Sequence, residues 1–384
     1  MRSILRLQRL WHYGTEKGRL DGVLVALIVA LVAIGSVMVA SASYAYAESR
    51  YNDAGYFTRK QILFVILGLF VMLAASRLPP RMLWRLTPAA YGVTVLLLLA
   101  TLAFGLTGNG AQRWIALGPL TFQPSELAKL TLVLMLARYF TTNEERIGAK
   151  GRGSFLYGIV YPLGITGLFC LLVVLQRHLS GLIIIAAIGI GVMFLSGSSK
   201  KVLGLLCGAG VAGVGALALT LDYARERVTV WLDPAAYPLE GGWQTLQGMM
   251  AIGSGGFFGL GLGNSRLKYS WVSEPANDFI FTITCEELGF LGAALILLLF
   301  FLFVRRGYRI ALGNEDTFSR IVALGITTKV AIQVLLNVAV ITNTIPNTGI
   351  SLPFFSYGGT SLLVLFLEMG ILLSVSRRSV LSYR

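Results

Sequence analysis

Apolar residues along the chain come in runs too long and too unbroken for the one-sided helices of a water-soluble fold. A run of roughly 18 or more such residues can cross the hydrocarbon of a bilayer as a helix. Runs of this kind, some shortened or interrupted by Gly and Pro, predict spans at 22–43, 61–76, 87–106, 124–140, 155–175, 179–197, 202–221, 279–304, 319–341 and 360–376. The expected fold class is an all-α integral membrane protein of about ten transmembrane helices, forming a single polytopic domain over residues 1–384. A short segment, 1–21, precedes the first span, and one long extracytoplasmic segment, 222–278, interrupts the series.

The polar positions orient these spans. With the N-terminus in the cytoplasm, the inside segments hold 21 of the 32 Lys and Arg residues, the outside segments nine, and the spans themselves two, Lys129 and Lys329. That asymmetry follows the positive-inside rule at nearly every loop. It places both termini in the cytoplasm. The first run follows basic residues and precedes Ala40-Ser41-Ala42, as a signal peptide would. Its apolar stretch exceeds the roughly 7–15 residues of a secretory signal, and its loss would break the charge parity. It is therefore expected to be retained.

Composition agrees. The chain is 55% hydrophobic and 13% charged, with a mean hydropathy of +0.74; soluble domains carry about 25% charged residues. The formal charge of +14 could suggest nucleic acid, but topology accounts for it and no nucleic-acid partner is expected. Cys170, Cys207 and Cys285 lie singly within apolar runs, without metal or disulfide spacing, and read as small buried hydrophobes.

Three outside segments are too long to be simple connections: 107–124, 222–278 and 342–359. Long loops tend to carry function, and all three emerge on one face, so any chemistry is expected outside the cytoplasm. The 222–278 segment is rich in glycine, as in Gly253-Ser-Gly-Gly256 and Gly259-Leu-Gly-Leu-Gly263, and reads as a loop with several turns. No phosphate-binding glycine motif is present, so no nucleotide cofactor is expected.

Ionisable residues within spans are costly and mark candidate sites. These are Glu126, Lys129, Glu286, Glu287, Lys329 and Glu368, with Asp278 where the long loop enters the eighth span. Glu126 and Lys129, three apart, share a helix face. Lys329 and Glu368 fall at a similar depth in neighbouring spans and are expected to touch as a structural brace. His178, on the turn between spans five and six, is expected to be solvated. Glu286 lies eight residues beyond Asp278 and returns near its face of the helix.

These motifs resemble the SEDS family of peptidoglycan glycosyltransferases (FtsW, RodA and SpoVE). The resemblance rests on Arg113-Trp-Ile-Ala-Leu-Gly118 with Phe122-Gln-Pro-Ser-Glu-Leu-Ala-Lys129, on Asp278-Phe-Ile-Phe281 with Glu286-Glu-Leu-Gly289, and on Pro346-Asn-Thr-Gly-Ile-Ser-Leu-Pro353 with Ser356-Tyr-Gly-Gly-Thr-Ser361. It covers nearly the whole chain, and the Gly261–Arg266 run sides with the FtsW/SpoVE branch. It implies a multi-pass protein of the bacterial cytoplasmic membrane that polymerises lipid II into β-1,4 glycan strands at the outer face, in division or sporulation. The family's catalytic aspartate corresponds to Asp278, and Arg113, Ser125, Glu126, Lys129, Glu286 and Ser356 correspond to substrate-binding positions. The implied partners are lipid II, undecaprenyl-pyrophosphate-linked glycan, membrane lipid and a class B penicillin-binding protein. A divalent cation, Mg or Mn, is the one cofactor considered; its ligands are unknown. Two other activities fit the same features: a lipid II flippase, and a scaffold that activates the penicillin-binding protein. The chain departs from the family at Ala276-Asn277, where His-Thr is usual, and at Arg177-His178, where Pro-Asp is usual.

Overall fold

The computed structural model describes residues 18–108, 111–118, 120–148, 152–220, 222–237, 241–269 and 275–379. Most of the expected 1–21 segment, and Glu274 of the long loop, lie outside the described residues. Ten helices occupy the ten predicted spans. They are α1 (Gly22–Tyr51), α2 (Tyr56–Ala75), α3 (Pro80–Phe104), α4 (Pro124–Thr142), α7 (Tyr161–Leu175), α8 (Leu179–Leu195), α9 (Lys200–Thr220), α12 (Ile280–Leu312), α13 (Thr317–Ile341) and α14 (Gly359–Ser376). Two short helices, α5 (Glu144–Gly148) and α6 (Arg152–Phe155), precede α7, and a π-helical turn over Leu156–Val160 joins α6 to α7. Among the described residues seven helices are long and apolar enough to cross a membrane on composition alone. The other three are α4, which carries Glu126, Lys129 and Arg138, the 17-residue α8, and α9.

The helix ends follow local chemistry. Asp21 caps α1 by accepting from the Leu24 amide at 2.8 Å, and its Oδ2 also accepts from two nitrogens of Arg306 on α12, at 2.6 and 2.9 Å. Proline stands at the first turn of α3 and α4, where its missing N–H costs nothing. Apolar surface gives little drive for association between helices already in lipid, so packing and hydrogen bonds must fix them. Thr131 of α4 donates to Thr94 of α3 at 3.2 Å, Tyr91 of α3 donates to the Ile165 carbonyl of α7 at 2.7 Å, and Gln176 donates to the Leu98 carbonyl at 3.0 Å. In the bundle, α2 packs against α14, α1 against α12, and α13 against α4, α8 and α12.

The outer segments are structured. Residues 106–122 form an antiparallel meander of β1 (Leu106–Gly108), β2 (Ala111–Leu117) and β3 (Leu120–Phe122), with Leu106 opposite Trp114 and Ile115 opposite Phe122. It lies over the turn between α7 and α8, where the Gln112 amide donates to the Gln176 carbonyl at 3.3 Å. The 222–278 segment, expected as a loop, instead carries α10 (Asp222–Leu232) and α11 (Gly241–Ser254). These helices anchor to the 342–350 segment. Trp231 donates to the Asn343 carbonyl at 2.9 Å, Arg227 to the Asn347 carbonyl at 2.6 Å, and Asn347 to Gln244 at 3.1 Å. The glycines that suggested a flexible loop lie mostly at its end, 253–263, and there they serve a break in α12. At Gly289 φ is 66°, in the left-handed region that favours glycine, and the helix is interrupted. The released backbone is satisfied by the 255–261 strand of chain: the Leu260 and Gly261 amides donate to the Glu286 and Glu287 carbonyls at 3.0 Å, and the Phe290 amide donates to Gly256 at 2.9 Å.

The cysteines are unpaired among the described residues. Cys285 is buried as expected, Cys170 is only half-buried, and Cys207 of α9 is exposed on the bundle surface, because that helix packs on few neighbours.

Candidate active site

Asp278 sits on the turn that leads into α12, partly exposed. Its position is set by the 342–358 segment. Asn337 of α13, fully buried, donates to both the Asp278 and the Ile350 carbonyls, at 2.9 and 2.7 Å, and so ties the turn to that segment. Ser356 donates to the Asn277 carbonyl at 2.8 Å and accepts from the Leu352 amide at 2.7 Å. The Tyr357 amide donates to the Ala276 carbonyl at 2.8 Å. Gly349 adopts φ 68°, and a Cβ built there would stand 2.8 Å from Asp278 Oδ2, so the carboxylate lies directly on this backbone. Ser356 was expected at the substrate. Both of its hydrogen bonds are internal, which makes it a support for the Asp278 turn.

Glu126 and Lys129 form the expected ion pair at 2.7 Å in the first turns of α4, and Lys329 meets Glu368 at 2.6 Å, as the sequence implied. The two pairs form one cluster, with the charge of Lys329 acting on both Glu126 and Lys129. Glu126, Lys329, Gln333, Ser356 and Ser361 line a cavity of about 50 Å³, enough for a few water molecules. Gln333 Oε1 and Glu368 Oε1 are buried without a protein hydrogen bond, which is the setting in which ordered water is held. Lys329, Gln333 and Asn337 recur every four residues on α13. They form a polar stripe from the charged cluster up to the Asp278 turn, of which only Lys329 was singled out from the sequence. Ser125 is 2% exposed, and its hydroxyl caps nothing; the cap position is Gln123. Arg113 stands on β2, half-buried.

Two expectations are corrected. His178 is 5% exposed, not solvated. The meander covers its turn, Gln123 Nε2 stands 3.5 Å from its Nε2, and burial, then the nearby Arg113 charge, push its pKa down to about 3. Glu286 does not face the open site. It is fully buried, accepting from the Ser265 hydroxyl and from the Arg266 amide at 2.9 Å. Its neighbour Glu287, equally buried, pairs with Lys268 at 3.1 Å and accepts from Ser41 of α1 at 2.7 Å. The break at Gly289 turns both carboxylates toward the 263–268 loop. The glycine after Glu286-Glu-Leu is the one sequence signal that could have shown this.

A ten-helix bundle with a supported aspartate at the outer end of α12 and a charged pair at the head of α4 defines a class of polytopic membrane protein with an outward-facing acid site. Residues 22–380 match the family model FTSW_RODA_SPOVE, described as cell cycle protein, and the chain belongs to that family. It is 38% identical to stage V sporulation protein E of Bacillus subtilis (strain 168), over 95% of this chain and 99% of that protein. It is 34% identical to a probable peptidoglycan glycosyltransferase FtsW of Geobacter sp. (strain M18), over 93% and 97%. Among solved structures, a chain of a peptidoglycan synthase complex that coordinates polymerization and crosslinking is similar with a TM-score of 0.77 at 30% identity, covering 93% of this chain and 98% of that one. The rod shape determining protein RodA of Thermus thermophilus is similar with a TM-score of 0.69 at 29% identity, over 94% and 98%. The protein is thus a multi-pass protein of the cytoplasmic membrane.

Proposed function

We propose that this chain is a peptidoglycan glycosyltransferase that polymerises lipid II into β-1,4 glycan strands at the outer face of the membrane. The observation that carries this reading is Asp278: a partly exposed carboxylate whose turn is fixed by Asn337, Ser356 and Tyr357. A general base needs such a fixed position within reach of the proton it removes. The acceptor offers the 4-hydroxyl of its N-acetylglucosamine. Asp278 takes that proton as the oxygen attacks C1 of the donor sugar, the C1–oxygen bond to pyrophosphate breaks, and one displacement inverts an α-linked donor to a β-linked product. The charge gathering on the departing pyrophosphate calls for cations at its oxygens, a role for Lys129 and Arg113. Among the described residues no three of His, Cys, Asp and Glu come together as a metal cage. A divalent cation is therefore proposed as part of the substrate, carried on the pyrophosphate, since Mg chemistry needs only one or two protein carboxylates there. A class B penicillin-binding protein is the proposed partner, by analogy with the solved synthase complex. Lys329 and Glu368 meet at 2.6 Å and are 3% and 1% exposed, which favours a brace over a flippase path.

The test is glycan synthesis from purified lipid II, with and without the penicillin-binding partner, by wild type and Asp278→Asn. Loss of a general base lowers rate by about 10²–10⁴-fold. The reading expects polymer from the wild type and a loss of that size in the folded variant. Equal polymer from both, or none from folded wild type with its partner, would overturn it.

A further inference from the structure

The Lys329–Glu368 contact ties α13 to α14, and a brace needs only those two charges. The surroundings hold more. Lys129 Nζ stands 2.7 Å from both oxygens of Glu126, so one ammonium serves the whole carboxylate. Lys329 Nζ donates to Glu368 Oε2 at 2.6 Å. An ammonium has three donors, and among the described residues this is the one hydrogen bond that Lys329 makes. Glu368 Oε1 and Gln333 Oε1, the latter one turn along α13 from Lys329, are buried acceptors without a protein donor. The four charges also act on one another: Lys329 on Glu126 and Lys129, and Glu368 on Lys129.

A brace does not explain why Glu126 and Lys329, from different pairs, line the same cavity. That cavity reaches Ser356 and Tyr357. Those two residues hold the Asn277 and Ala276 carbonyls, so the cavity lies against the turn that carries Asp278. Lys129 is a cation proposed above for the departing diphosphate. To turn toward it, Lys129 must leave Glu126, whose side chain is only 13% exposed. A carboxylate so enclosed is costly without its counter-charge. With one acid and one lysine alone, that cost would oppose every turnover.

We infer that Lys329 is a positioning residue for the reaction: it takes up Glu126 across the shared cavity when Lys129 turns to the diphosphate of the donor. Lys329 keeps Glu368 with one donor while a second reaches Glu126. One ammonium is thereby lent to the substrate and no buried carboxylate is stranded. The two acids and two lysines sum to zero before substrate enters, and the rearranged set presents a free ammonium to the incoming anion. This inference rests on the glycosyltransferase reading for the identity of that anion.

The test exchanges the pair for apolar side chains. Replacing a buried ion pair by well-packed apolar residues is often neutral or stabilising. Lys329→Met/Glu368→Met is therefore expected to keep the thermal unfolding midpoint of the full chain in nanodiscs. Calorimetric binding of inorganic pyrophosphate and glycan synthesis from lipid II are then compared with the wild type. Loss of one hydrogen bond to a charged group corresponds to about tenfold or more, and a loss of that size is expected in pyrophosphate affinity and in kcat. Adding Glu126→Gln removes the carboxylate that would be stranded and is expected to restore the affinity, a dependence that a brace does not have. Wild-type affinity and rate in the double variant, a loss that only follows a fallen unfolding midpoint, or no recovery with Glu126→Gln reduces the pair to a brace and overturns the inference. Wild type that binds no pyrophosphate overturns it too, whether or not polymer is made. A wild type that polymerises beside an equally active double variant leaves the glycosyltransferase reading standing and this inference overturned.

Discussion

Two acidic positions eight residues apart on one stretch of chain have opposite surroundings. Asp278 is partly exposed, and what fixes it is its backbone: its carbonyl and those of its two predecessors accept from Asn337, Ser356 and Tyr357. Glu286 and Glu287 are fully buried, and what fixes them is their carboxylates, each answered by groups of the 263–268 loop or of α1. The difference separates two uses of the same side-chain chemistry. A carboxylate saturated by internal donors holds helices together. One whose turn is anchored through its main chain stands partly exposed at the outer end of α12.

The sharpest way to break this contrast is at Glu287. Glu287→Ala leaves the Lys268 ammonium, 2% exposed, without its counter-charge, and removing one partner of a buried pair costs about 3–5 kcal/mol. Thermal unfolding in detergent should show a large loss of stability; an unchanged midpoint would mean the pair does not hold the loop. The opposite signature is expected at Gly349→Ala. The added Cβ meets the Asp278 carboxylate in a left-handed backbone position, and misplacement by about 1 Å costs about 10²-fold in rate. Here kcat for glycan synthesis should fall far more than stability does, and equal falls in both would erase the distinction.

His178 tests the meander that covers the turn between α7 and α8. Its pKa in the folded chain is about 3, below the unfolded value of about 6.5. The unfolded state therefore binds the proton first as pH drops, and stability is lost between pH 6.5 and 3, with none lost above. By pH 5 the deficit is about 2 kcal/mol. His178→Asn should flatten unfolding midpoints over that range; a slope that persists would place the acid sensitivity elsewhere. The smallest effect is expected from Ser356→Ala, which removes two hydrogen bonds worth about 1 kcal/mol each. Ser356→Thr should restore activity if the hydroxyl supports the Asp278 turn; no rescue would argue for contact with substrate.

What the sequence displayed depended on range. The spans were legible because lipid demands unbroken apolar runs, and orientation because arginines and lysines mark the inner side. The Lys329–Glu368 contact was legible because two opposite charges at one depth have few alternatives. The burial of His178 was not, since its cover comes from a meander some sixty residues earlier whose strands are only three to seven residues long. Nor was the role of Glu286, which depends on a helix break at Gly289 and on a loop twenty residues upstream. Helices α10 and α11 were hidden by the glycines that follow them.

The contact between Ser41 and Glu287 spans 246 residues, and it bears on how the protein is made. The first two helices to leave the ribosome pack against the last ones: α1 on α12, α2 on α14. At about 5–20 residues per second, α1 waits on the order of 10–50 s before Glu287 and Arg306 exist to meet it. Ser41 and Asp21 must be tolerated by lipid, headgroups or an insertion chaperone for that interval. Closure of the bundle is thus the final event of biogenesis, and chains truncated before residue 287 should be recognised by membrane quality-control proteases as unfinished.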